Sequence, residues 1–224
     1  MFAARAVEPA VDFLAGLSAG AALEFGIGTG RIALPLSARG VPVHGIELSA
    51  AMLRELAAKS GADRIEATLG DFAHARVPGE FALVYLVFNT IGNLTTQDEQ
   101  VACFRNAAAH LAPGGCFVVE VGVPQLQRLP PGETVQPFSV TDSHLGFDEY
   151  DVATQRLVSH HFRLVDGTWQ RRSIAFRYVW PAELDLMAAL AGMSLRERWA
   201  TWDRQPFTST SPSHISVWQK PSSA

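Results

Sequence analysis

Short apolar runs alternate, over the first 120 residues, with stretches in which apolar positions recur every three or four residues. That alternation predicts strands of a parallel sheet covered by helices. A helix over Val7–Leu17 precedes a first strand at Ala21–Phe25, which runs into Gly26-Ile27-Gly28-Thr29-Gly30. Val41–Ile46 is the second strand, and Ser49 is placed to cap a helix over Ala50–Lys59. Arg64–Leu69 is the third. Phe81–Phe88 is apolar at every position, as a central strand buried on both faces must be. Thr96-Gln97-Asp98-Glu99 has the form of a capping box, after which Val101, Phe104, Ala108 and Leu111 recur at helical spacing. Pro113-Gly114-Gly115 is expected to end that helix, and Cys116–Val121 to form the fifth strand. Pro35 would cost a regular helix after the glycine loop about 3 kcal/mol unless it sits in an irregular first turn.

After residue 130 the period shortens. Gln155–Val165 and Thr168–Trp180 flank Asp166-Gly167, a strong hairpin signal. In the second run Ile174, Phe176, Tyr178 and Trp180 alternate with Ser173, Ala175, Arg177 and Val179, which predicts one apolar face. Pro181 suits the first turn of a helix carrying Leu184, Met187 and Leu190 and ending at Gly192. Strands near Ser194–Thr201 and His214–Gln219 complete the pattern. The expectation is a single α/β domain over residues 1–224, a three-layer α/β/α sandwich. Its seven-stranded sheet is mostly parallel with an antiparallel last strand. An antiparallel β-hairpin insertion within 130–180 is expected to act as a substrate lid or dimer contact.

Composition narrows the function classes. At 48% hydrophobic and mean hydropathy +0.10, the 224 residues are too apolar for a disordered chain. The longest apolar run, Phe81–Phe88, is far below the ~18 residues that cross a bilayer. A formal net charge of −4, with Arg171-Arg172 the only basic cluster, argues against nucleic-acid partners. Cys103 and Cys116 have neither metal spacing nor disulfide density, so no metal is expected. Arg5, Glu8, Pro9 and Asp12 interrupt any signal-peptide core, which makes a cytoplasmic location the expectation. The tail Pro221–Ala224 reads as disordered.

Leu23–Arg31 joins a strand to a helix through three glycines, and such a loop lets backbone amides approach a nucleotide. Glu47, at the end of the second strand, is placed for a carboxylate to accept both ribose hydroxyls. A tight turn with an incidental acid is the plain structural alternative. A dinucleotide fingerprint fits only from Gly28 through Gly30 to Ala33, two residues late for a turn at the strand end. Gly26, Gly28 and Gly30 fit an adenosyl ligand without pyrophosphate better.

Leu23–Arg31, Ile46-Glu47-Leu48-Ser49, Gly70-Asp71-Phe72, Phe88-Asn89-Thr90 and Leu111–Gly115 occur in the order seen in class I S-adenosylmethionine-dependent methyltransferases. The chain resembles that family, and within it small bacterial enzymes such as deoxysugar-amine N-methyltransferases. The resemblance implies a Rossmann-like fold with S-adenosyl-L-methionine as cofactor. It places Glu24, Gly26, Ile27 and Gly28 at the methionine end, with Arg31 a partner for the carboxylate. It gives Glu47 the ribose, sets Leu48 and Met52 beside the adenine, and brings Asp71 and Phe72 to the adenine amino group and ring. Phe88, Asn89 and Thr90 would border the reacting methyl. Many members carry a longer N-terminal helical cap than the one helix available before this loop. A neighbouring subunit, as in a homodimer, or the insertion would then cover the site.

Methyl transfer from a sulfonium needs alignment and exclusion of water, and a base only if the acceptor arrives protonated. Glu120, ending the fifth strand, and His160, read as the inward histidine of the hairpin, are the candidate catalytic residues. His161 alternates to the other face, so the two cannot share a metal. His144, Tyr150, His214, Trp199 and Trp202 are lesser candidates for touching an acceptor. The expected activity is methylation of a nitrogen or oxygen of a small-molecule acceptor. The alternatives are an NAD(P)-dependent oxidoreductase and a non-catalytic adenosyl-cofactor-binding protein.

Overall fold

The computed structural model describes residues 7–222, so of the tail from Pro221 only its first two residues fall within it. Helix α1 (Val7–Leu17) leads into β1 (Ala22–Phe25), α2 (Ala33–Ala38), β2 (Val43–Glu47), α3 (Ala50–Ala57) and β3 (Ile65–Leu69). β4 (Phe81–Leu86), α4 (Gln97–His110) and β5 (Leu111–Gly122) follow. Then come β6 (Val135–Val140), β7 (His144–Asp151), β8 (Arg156–Val165) and β9 (Thr168–Arg177). The chain closes with α5 (Pro181–Leu190), β10 (Ser194–Trp199) and β11 (Ser213–Gln219).

One sheet has the order β10-β11-β5-β4-β1-β2-β3. The pairs among β1 to β5 are parallel, and β11 is antiparallel to both β5 and β10. Alternate strand residues feed two cores. Val84 and Leu86 join Phe104, Phe117, Leu184 and Trp218 on the α4/α5 side. Leu83 and Tyr85 join Val11, Leu14, Ile32 and Leu36 on the α1/α2 side. The parallel strands therefore read as continuous apolar runs because both faces are covered.

The local signals explain the boundaries. Thr96 accepts the Glu99 amide while the Glu99 side chain accepts the Thr96 amide, a complete capping box. Pro35 falls in the first turn of the six-residue α2, where a missing N–H costs little. Asp166 and Gly167 both have positive φ, as a type I′ turn requires. Pro113-Gly114-Gly115 does not end α4. The helix stops at His110, and the three residues lie within β5, where its register against β4 shifts.

The expected hairpin is a four-stranded antiparallel sheet, β6-β7-β8-β9, reached from β5 and returning into α5. Along β9 its apolar face is the one the alternation suggested, with Ile174 and Phe176 half-buried and Ser173 and Ala175 exposed, and the pattern departs only at the root of the strand. At the base of β9 and just beyond, Arg177 and Val179 are buried and Trp180 is exposed. Arg177 turns inward because Gln100 of α4, Gln155 and Glu183 of α5 all bond its guanidinium, tying the second sheet to the first. No helix among the described residues is long and apolar enough to cross a membrane.

Candidate active site

The carboxyl ends of β1, β2, β4 and β5 lie side by side, and the residues singled out by sequence converge there from the loops that follow them. Gly26 and Gly28 hold φ of +69° and +55°, backbone that residues with side chains rarely adopt. A Cβ on Gly26 would lie 3.0 Å from Thr90 Cγ2, so a side chain there would crowd the turn after β4. Ile27 is buried beneath the loop.

Glu47 is 9% exposed, and its oxygens are oriented by two amides, Gly28 N–H at 2.9 Å and Ser49 N–H at 2.8 Å. A carboxylate accepts about four hydrogen bonds, so it retains lone pairs for a ligand. Beside it Leu48 and Met52 are apolar yet 71% and 45% exposed. They form an uncovered apolar ledge next to an aligned carboxylate. Asp71 accepts the Ala73 amide at 2.9 Å, and Phe72 is buried and stacked on Phe25. The Arg31 guanidinium lies 4.6 Å from the centroid of the Phe88 ring. Cradle, ledge and carboxylate together suit an adenosine.

Glu24 is buried behind the loop and accepts the Tyr85 hydroxyl at 2.9 Å. Burial pushes its carboxyl up to about 8, against the lowering effect of Tyr85 and the Ala33 backbone. The hydroxyl of Tyr85 is raised well above its usual range, again mainly by burial. The spacing of the glycine motif gave no sign of Tyr85.

The turn after β4 is strained: Phe88 and Asn89 both lie in the left-handed region, at roughly 1 kcal/mol or more each. Asn89 Oδ1 accepts the Gly122 amide at 3.0 Å. Asn89, Gly122 and Gln125 form one wall of a cavity of about 110 Å3, and Tyr150, Leu157, Phe176 and Tyr178 form the other. Tyr150, Leu157 and Phe176 pair across β7, β8 and β9, so that face of the second sheet points at the carboxyl edge of the first. Burial raises the Tyr150 hydroxyl to about 12, and it raises Tyr178 as well.

His160 does not join this cavity. It lies three residues from Leu157 on the same strand, hence on the opposite face, and packs on Phe147 at 4.9 Å. Its ring nitrogens bond Ser173 and Glu149, both on that outer face. His160, expected to point inward, thus faces away from this cavity. His161 shares the cavity's face but lies farther out, stacked on His144. His214 is fully buried on β11 and bonds Ser216, with burial lowering it to about 4. Glu120 is 3% exposed, with one oxygen accepting the Phe88 amide and the other the Trp202 indole. Its carboxylate also reaches a second cavity of about 330 Å3 between Pro9, Trp202 and Ile215. Among the described residues no cluster of His, Cys, Asp or Glu has metal-binding geometry.

Residues 22–115 match a family model described as a methyltransferase domain. The CcbJ methyltransferase of Streptomyces caelestis superposes with a TM-score of 0.86 at 38% identity, over 97% of this chain and 90% of that one. The S-adenosylmethionine-bound amino pentose methyltransferase CalS10 of Micromonospora echinaspora gives 0.68 at 23% identity, over 96% and 89%. A cypemycin N-terminal methyltransferase from a Streptomyces species is 28% identical over 207 residues, 88% of this chain and 82% of its own length.

Proposed function

This chain belongs to the class I S-adenosylmethionine-dependent methyltransferases, and from that premise we propose that its acceptor is an amine of a small molecule, methylated on nitrogen. Family membership sets aside the dinucleotide and non-catalytic alternatives. The observation that carries the amine reading is the lining of the cavity beside Asn89, which among the described residues holds amide, tyrosine, arginine and apolar groups but no carboxylate or imidazole. Tyr150 and Tyr178 are shifted upward and keep their protons at neutral pH. Arg177, at the same cavity, is paired with Glu183. A hydroxyl acceptor would need a base at that position, whereas a neutral amine attacks with its own lone pair. The N-terminal methyltransferase among the relatives supports the same choice of atom.

When bound, the cofactor supplies an electrophilic methyl on a sulfonium sulfur. Glu47 would take the ribose hydroxyls, and Leu48 and Met52 would flank the adenine, with Asp71 and Phe72 at its other side. Gly26, Gly28 and Arg31 would hold the methionine end, and Thr90 would border the methyl. Asn89 and the two tyrosine hydroxyls would orient the amine, while Leu157 and Phe176 exclude water. The aromatic walls also suit the cationic product. Cytoplasmic operation on a free metabolite belongs to the same reading.

Calorimetry followed by a panel of amines, phenols and alcohols tests it. S-adenosylhomocysteine should bind and NAD(P)H should not. Amines should turn over, with a pH–rate curve whose midpoint follows the acceptor's own pKa from one amine to the next. Turnover of phenols or alcohols with none of amines would overturn it.

A further inference from the structure

Phe88 (φ 57°) and Asn89 (φ 63°) hold consecutive left-handed conformations directly after β4. Residues with side chains keep that backbone only where surrounding contacts impose it. Those contacts converge on one residue of β5. Glu120 Oε2 accepts the Phe88 N–H at 2.9 Å, and the Glu120 carbonyl accepts the Asn89 N–H at 3.1 Å. Glu120 Oε1 accepts the Trp202 indole N–H at 3.2 Å. Trp202 lies between β10 and β11 and packs edge-on against Phe13 of α1 at 5.4 Å. One buried carboxylate thus joins the strained turn, the last loop of the main sheet and the first helix.

We propose that Glu120 is a positioning residue for methyl transfer. Its carboxylate clamps the Phe88-Asn89 turn to Trp202, holds Asn89 at the acceptor cavity, and takes no part in proton transfer. This replaces the direct contact with an acceptor that its place at the carboxyl edge suggested. It rests on the reading that the acceptor sits beside Asn89. Hydrogen bonds from N–H donors to an ionised acceptor are the stronger, more directional kind, which suits a clamp. A neutral amine attacks with its own lone pair and needs no base, which leaves the Glu120 carboxylate free for positioning.

Glu120→Gln tests the clamp. It keeps the shape but sets an amide N–H against one of the two donors, so Phe88 and Trp202 cannot both be held. In the full-length protein, exchange of the Phe88 amide should accelerate while S-adenosylhomocysteine affinity is retained. With whichever amine the panel identifies, kcat should fall about a hundredfold, the cost of a small misplacement near the reacting atoms. The shape of the pH–rate curve should be unchanged. Trp202→Phe, which removes only the indole N–H, should lower kcat less, and the double variant should be no slower than Glu120→Gln alone. Loss of a pH limb in Glu120→Gln would make Glu120 a base and overturn the proposal. So would unaltered exchange at Phe88, or additive effects of the two substitutions. Should Glu120→Gln fail to fold, wild-type kcat and Phe88 exchange in Trp202→Phe overturn it equally. The exchange measurement needs no acceptor. Accelerated exchange with no amine turned over supports the clamp and refutes the acceptor reading instead.

Discussion

Two glutamates twenty-three positions apart in the same crevice carry opposite electrostatic designs. Glu47 is met by backbone donors on both oxygens, which fix the orientation of its carboxylate in the crevice. Glu47→Ala should weaken S-adenosylhomocysteine at least about a hundredfold by calorimetry, the loss of two charge-assisted bonds to ribose. The far-ultraviolet spectrum should be retained. Glu24 faces inward, where burial holds its carboxyl near 8 against an ordinary value of 4.5. A raised carboxyl stabilises the fold fully below its unfolded pKa, and that contribution is lost as pH rises through the folded value. The ligand-free protein should therefore lose melting temperature between about pH 4.5 and 8. Glu24→Gln keeps an acceptor for Tyr85 and should lose roughly 5 °C less over the same interval by calorimetric scanning.

Elements whose cause is local were legible, and those whose cause is distant were not. The capping box at Thr96 and the turn at Asp166-Gly167 follow from side chains within a few positions of one another. Thr96→Ala should cost about 1 kcal/mol, seen as a lower urea midpoint with an unchanged slope. β6 escaped notice because Pro137 and a register shift break its alternation. β9 departs from its alternation only at its end, because Arg177, a polar residue in an alternating run, is drawn inward by partners on α4 and α5. The same rule covers the site. Gly28 and Glu47 stand at the ends of adjacent strands and could be matched by spacing. Glu120 and Trp202 are 82 positions apart, and nothing in either neighbourhood announces their bond. The face of His160 depended on which side of a sheet turned toward the cleft, and that is set by packing between sheets.

At the scale of the molecule, the second sheet forms one wall of the cavity beside Asn89 and is anchored by a buried polar network at its root. Burial alone would raise the Glu183 carboxyl, but hydrogen bonds from Gln155, Arg177 and Gln97 together bring it below its ordinary value. Arg177→Met would strand Glu183, Gln100 and Gln155 without their shared cation. It should cost about 3 kcal/mol in chemical denaturation and expose residues 123–180 to proteolysis before the main sheet unfolds. The same insertion ends in two outer strands, β6 and β9, whose free backbone groups invite intermolecular pairing. Each carries its own deterrent. Pro137 and the irregular pairing beside it interrupt β6, while Gln170, Arg171 and Arg172 line β9 with polar and charged groups. An appendage with exposed Val140 and Trp169 thus carries at each rim a feature that opposes strand-to-strand polymerisation.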